Sequence, residues 1–245
     1  MFNDIYNYVP QEWKFYIDER SLAPVIEKLN RHQFNDVLPE KDRIFEPLSL
    51  IKPNDVRVVI LASPSPQNEL SSGIPYGIPF EYRFTDIAKR IPEPPIRKNV
   101  IDYIYSLLDG ERDNTLKDAV SRGILLLNYP LTCSPKRKNA HINYDWSTIV
   151  KRIIERLLFR DNSSLLLIAW NEEAYNLYTN VITNWLPSMD NMVYTSPVYR
   201  NMRMIVATGP DKNISNNRSK YSLISSSIPF DNPVHKEIIK RALSD

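Results

Sequence analysis

Four short apolar runs punctuate the chain. They are Arg57-Val58-Val59-Ile60-Leu61, Gly123-Ile124-Leu125-Leu126-Leu127-Asn128, Leu165-Leu166-Leu167-Ile168-Ala169 and Met204-Ile205-Val206-Ala207. None alternates apolar with polar positions, which is how strands covered on both faces of a parallel sheet read. Between them the period changes. Trp146, Ile149, Val150, Ile153, Ile154, Leu157 and Leu158 recur at i, i+3, i+4 and i+7, predicting a helix over 145–159 with Asp145 as its N-cap. Weaker helical patterns cover 10–29, 98–108 and 172–185. A last one covers 233–243, with Pro233 in the first turn behind Asn232. Residues 37–53 are broken by prolines and read as loop and short helix.

Strands alternating with helices predict an α/β fold: a doubly wound sandwich with a central four-stranded, mostly parallel sheet flanked by helices. No internal repeat or composition break divides it, so 1–245 reads as one domain. Segment 186–203 reads as an insertion whose Met and Tyr residues suit a protein interface, and 209–232 as a long polar loop.

The strand ends carry the candidate chemistry, because open α/β sheets hold ligands at their carboxyl ends. The first strand runs into Ala62-Ser63-Pro64-Ser65-Pro66, whose prolines cannot donate to a ladder and so mark a loop. The second ends on the amide of Asn128, and its loop carries Lys136, Arg137 and Lys138. The third closes on Trp170-Asn171-Glu172-Glu173.

Composition narrows the classes. Lys plus Arg number 31 against 29 for Asp plus Glu, so net charge alone gives no reason to expect nucleic acid, and only local clusters can. Cys133 is the single cysteine, which excludes internal disulfides and points to an intracellular, reducing compartment, cytoplasm or nucleus. No run is long enough to span a bilayer, and MFNDIYNYVP lacks the apolar core of a signal peptide, so no membrane partner is expected. His32, His141, His235 and Cys133 have no metal-ligand spacing, so neither metal nor cofactor is expected. Only 5 glycines stand against 19 prolines, which is few for loops that wrap phosphates.

In order and spacing these pieces resemble the uracil-DNA glycosylase superfamily across residues 13–243. DVRVVIL (55–61) is similar to the strand before that family's GQDPYH loop, and GIPF (77–80) to its G-L-x-F stacking segment in the form seen in poxvirus relatives. PPIRKN (94–99) resembles the PPSLxN loop, and RGILLLNYPLT (122–132) the QGVLLLNxxLT strand. AHINYDW (140–146) resembles SHxxxGW, LLLIAWNEEA (165–174) resembles LLWGSxA, and IVATGPDKNISNNR (205–218) aligns on the HPSPLS loop.

The resemblance implies a protein that flips a uridine from the duplex and splits its glycosidic bond. In the family a loop Asp activates water, a His donates to the departing base, an Asn reads the base edge and a Phe stacks on it. Here Phe80 and Asn128 stand at the two binding positions. The chemical positions are degenerate. Pro64 stands at the Asp in strand register, or Ser63 if the family's proline is the anchor, and Pro210 stands at the His. Glu69 and Asp211 are the nearest carboxylates that another mechanism could recruit. Ile96-Arg97 and Asn171-Glu172-Glu173 replace the small residues that grip phosphates, and two glutamates there repel them. In the last loop Lys212 replaces a phosphate-binding Ser, Ile214 replaces the wedge Leu and Arg218 matches a basic position.

These readings predict a catalytically inactive glycosylase-like protein. It would act as a DNA-binding or scaffold subunit of a replication, repair or transcription complex. Its partners would be DNA, single- or double-stranded, and a polymerase or other nucleic-acid-processing protein. Poxvirus relatives use this fold as a polymerase processivity factor. Two alternatives stay open: an active DNA glycosylase of altered mechanism or base specificity, and a protein-interaction module without DNA affinity.

Overall fold

The structure is a computed structural model that describes residues 1–31, 36–62, 72–77, 95–135, 140–160, 165–170, 172–185, 202–206 and 232–244. In chain order the elements are α1 (Glu19–Leu29), α2 (Glu46–Ser49), β1 (Val58–Ala62), α3 (Pro95–Leu108) and α4 (Lys117–Ser121). They continue with β2 (Ile124–Asn128), α5 (Trp146–Leu158), β3 (Leu165–Ala169), α6 (Glu172–Trp185), β4 (Met202–Val206) and α7 (Pro233–Ser244).

The four strands form one parallel sheet in the order β2-β1-β3-β4. β1 lies between β2 and β3, with Val58 opposite both Ile124 and Leu166. Every residue of β1, β2 and β3 is buried, which accounts for their unbroken apolar runs. The seven periodic residues of α5, from Trp146 to Leu158, are all buried as well. Tyr178 of α6 inserts its hydroxyl between two strands, donating to the carbonyls of Val59 and Ile168 at 3.3 Å, and full burial pushes its phenol well above the ordinary range. Arg160, just past α5, donates to the carbonyls of Leu157 and Val56 at 2.9 Å and to that of Pro53. It thereby ties the end of α5 to the chain entering β1.

The structure moves several predicted boundaries. The stretch 10–29 is not one helix. A 3₁₀ turn at Gln11–Trp13 is separated from α1, because the Asp18 carboxylate accepts from the N–H of Ser21 and starts a new helix there. Helix α3 begins at Pro95 rather than 98, and α4, too short to show a period, was not expected. Asp145 sits at the N-cap position of α5 but does not cap it. Its φ is +61° and its carboxylate turns to the Lys28 ammonium at 2.5 Å. β4 runs over Met202–Val206 instead of 204–207, so the expected insertion at 186–203 enters the sheet with its last two residues. The remainder of that insertion, and the polar loop up to residue 231, lie outside the described residues.

Among the described residues no helix is long and apolar enough to cross a membrane, and no cluster of His, Cys, Asp or Glu could hold a metal ion.

Candidate functional site

The carboxyl ends of β1 and β2 meet where Ala62 lies opposite Asn128, and the N–H of Tyr129 donates to the carbonyl of Ala62 at 2.9 Å. A polar amide closes a strand that is otherwise all aliphatic, and Asn128 is only 7% exposed. Its Nδ2 donates to the carbonyl of Gly73 at 3.1 Å. A buried amide needs such a partner, and here the partner belongs to a turn far away in sequence.

That turn, residues 72–77, is fixed from several sides. The Ser72 hydroxyl accepts from the N–H of Ile74 at 3.2 Å, and the N–H of Gly77 donates to the carbonyl of Ile74 at 3.1 Å. Gly73 has φ +78°, and a Cβ there would lie 2.0 Å from the carbonyl oxygen of Arg43. A Cβ on Gly77 would lie 2.6 Å from the carbonyl oxygen of Thr115. Both positions therefore require glycine, for backbone approach rather than for phosphate binding. Arg97 of α3 donates to the carbonyl of Gly77 at 3.3 Å. That places at least one donor of Arg97 on the turn.

Beyond Asn128 the chain is clamped again. Trp146 Nε1 donates to the hydroxyl of Thr132 at 2.7 Å, and His141 Nδ1 lies 2.9 Å from the same oxygen. All three side chains are buried, and the imidazole stacks on Tyr144 with ring centroids 4.3 Å apart. Cys133 exchanges two backbone hydrogen bonds with Leu38, at 2.7 and 2.8 Å. Burial pushes its thiol up to about 11, so it stays protonated at neutral pH and is no nucleophile. These groups tie Thr132 to α5 and Cys133 to Leu38.

Of the catalytic, base-pocket and basic-cluster residues expected from sequence, Asn128 alone falls within the described residues; of the expected phosphate-contact positions, Arg97 lies in α3 and Glu172 and Glu173 begin α6. Ser63, Pro64, Phe80, Lys136, Arg137, Lys138, Pro210, Lys212, Ile214 and Arg218 lie outside them, as do Glu69 and Asp211. Sequence reasoning missed the turn that receives the Asn128 amide. A signal existed: two of the chain's 5 glycines stand at 73 and 77, just after the proline-rich loop.

No protein-family model matches the chain. Curated relatives do. Proteins named uracil-DNA glycosylase match at 26% identity over 172 residues in Idiomarina loihiensis, 66% of this chain and 74% of that one. In Exiguobacterium sibiricum the match is 28% over 155 residues, 60% of this chain and 64% of that one. In bovine herpesvirus 1.1 it is 27% over 151 residues, 60% and 70%. Among solved structures, a mimivirus UNG variant in complex with UGI superposes with a TM-score of 0.62 at 16% identity, covering 84% of this chain and 72% of that one. Mimivirus uracil-DNA glycosylase superposes with a TM-score of 0.54 at 14% identity, covering 86% and 75%. At these identities the structural likeness speaks for the fold.

Proposed function

The chain belongs to the uracil-DNA glycosylase superfamily, and from that premise we propose that it has given up base excision and serves as a DNA-binding or scaffold subunit of a replication, repair or transcription complex. The observation that carries this reading is the end of β1. β1 ends at Ala62, opposite Asn128, and by the resemblance read from the sequence the next residues, Ser63 and Pro64, stand where the family keeps its catalytic Asp. Neither is a carboxylate. Without one, nothing at those positions activates water or offsets the positive charge that grows on the sugar as the glycosidic bond breaks.

The second chemical position points the same way. Pro210 stands where the family's His donates to the departing base, and a prolyl residue has no N–H to donate from backbone or side chain. What remains is recognition. Among the described residues only the Asn128 Nδ2 is engaged, by Gly73, which leaves Oδ1 to accept from an N–H on a base edge. Lys136, Arg137, Lys138, Lys212 and Arg218 supply the cations for a phosphate backbone, with Ile214 at the wedge position and Phe80 at the stacking position.

An active glycosylase of altered mechanism is the second reading. The retained Asn128 amide and the relatives named uracil-DNA glycosylase favour it, and it needs Glu69 or Asp211 as a relocated carboxylate. One paired experiment separates the readings. Purified protein is incubated with uracil-containing and normal single- and double-stranded oligonucleotides, scoring abasic-site formation and binding across salt. Salt-sensitive binding without base release is the expected result. Base release would overturn the non-catalytic reading, and absence of both activities would leave a protein-interaction module.

A further inference from the structure

A cleft of about 370 Å³ opens between α5 and α6, one residue along the chain from Asn128. We propose that it binds a phosphate-bearing nucleotide, held either free or as one unit of a nucleic-acid strand.

Its two walls differ in chemistry. The α5 wall presents the hydroxyls of Ser147 and Thr148 and the ammonium of Lys151. One cation and two hydroxyls within one helical turn suit phosphate oxygens, which accept and never donate when ionised. The α6 wall presents the amides of Asn176 and Asn180, one helical turn apart on the same face. Each amide offers a donor and an acceptor, as a base edge requires. Tyr129 and Leu177 add the aromatic and aliphatic surface on which a base can lie.

The charge balance agrees. No carboxylate lines the cleft among the described residues. Asp145, the acid that precedes α5, is held by Lys28 at 2.5 Å. Glu155 reaches Lys151 only at 3.8 Å, the far limit of an ion pair, so the ammonium is not committed to it. The volume falls in the range of small-molecule sites, near its lower end. The location fits too. The N-terminal halves of α5 and α6 lie at the carboxyl side of a parallel sheet, where such folds hold ligands.

The test is a titration of isotope-labelled protein followed by amide NMR, with thymidine 5′-monophosphate, thymidine and a short oligothymidylate as separate probes. Shifts at 147–151 and 176–180 are expected with the monophosphate, the oligonucleotide or both, and markedly weaker ones with thymidine. The two arms distinguish a free nucleotide from a strand. Lys151→Glu should weaken binding about tenfold, the loss of one charge-assisted contact. Lys151→Gln serves if the reversal disturbs folding, and Asn180→Ala probes the other wall. Unmoved cleft amides with every probe, or thymidine binding as well as its monophosphate, would overturn the proposal. The oligonucleotide arm rests on the DNA-binding reading. Oligonucleotide bound elsewhere with the cleft silent to every probe sinks the cleft alone. Monophosphate bound in the cleft with no oligonucleotide affinity sinks the DNA reading alone.

Discussion

Asn128 and Gly73 are joined by a 3.1 Å hydrogen bond from amide nitrogen to carbonyl oxygen, across 55 positions of sequence. The bond fastens the turn 72–77 onto the carboxyl end of β2, so Asn128, the residue proposed to read a base, is a structural tie.

Removing the tie has a measurable cost. Asn128→Ala leaves the Gly73 carbonyl without its donor in a buried setting, worth about 1–3 kcal/mol. Urea or thermal unfolding should register a loss of that size. A loss below about 0.5 kcal/mol, the range of ordinary surface substitutions, would mean that the amide is not needed for the fold.

Gly73→Ala should be worse than its one added methyl suggests. The φ of +78° disfavours any L side chain, and the new Cβ would meet the carbonyl oxygen of Arg43 at 2.0 Å. A backbone oxygen cannot swing aside as the end of a side chain can. Strain and displacement together predict a loss of roughly 2–4 kcal/mol, read as a lower urea midpoint with an unchanged slope.

How much of this could be read beforehand depends on where each signal is stored. β3 and α6 were legible to the residue, because burial on both faces leaves an unbroken apolar run and helical packing leaves a period. β4 was placed two residues late because Arg203 interrupts its apolar run, although register with β3 begins at Met202. Asp145 has the composition of an N-cap, but composition does not report a φ of +61° or the pull of Lys28 from a distant helix. At the site, Asn128 was visible as a polar residue ending an aliphatic strand. Its partner was not, because a hydrogen bond to a backbone carbonyl leaves no residue-type signature at the accepting position.

Stability should also respond to mild acid through His235. Its Nδ1 is buried without a hydrogen-bond partner among the described residues, and burial lowers its pKa from the ordinary 6.5. The folded state therefore resists protonation more than the unfolded chain does. That penalty is absent well above pH 6.5 and grows as pH falls through 6.5 toward the lower folded value. Wild type should lose stability between pH 7 and 5 while His235→Gln loses less. Parallel pH profiles would remove His235 as the source.

The DNA-binding reading makes its own prediction about salt. By the resemblance read from the sequence, the proposal puts Lys212 and Arg218 at positions of the family's last DNA contact. Each phosphate neutralised by a cation releases condensed counterions, so the slope of log affinity against log salt reports the number of contacts. Charge reversal at either residue should flatten that slope by about 0.9 on duplex or about 0.7 on a single strand, weakening binding to all sequences alike. Lys136→Glu, Arg137→Glu and Lys138→Glu test the second basic loop in the same way. Fluorescence anisotropy with a labelled oligonucleotide at four salt concentrations suffices. Wild-type slopes in both sets would place the phosphate contacts elsewhere, and a wild-type slope near zero would remove DNA from the list of partners.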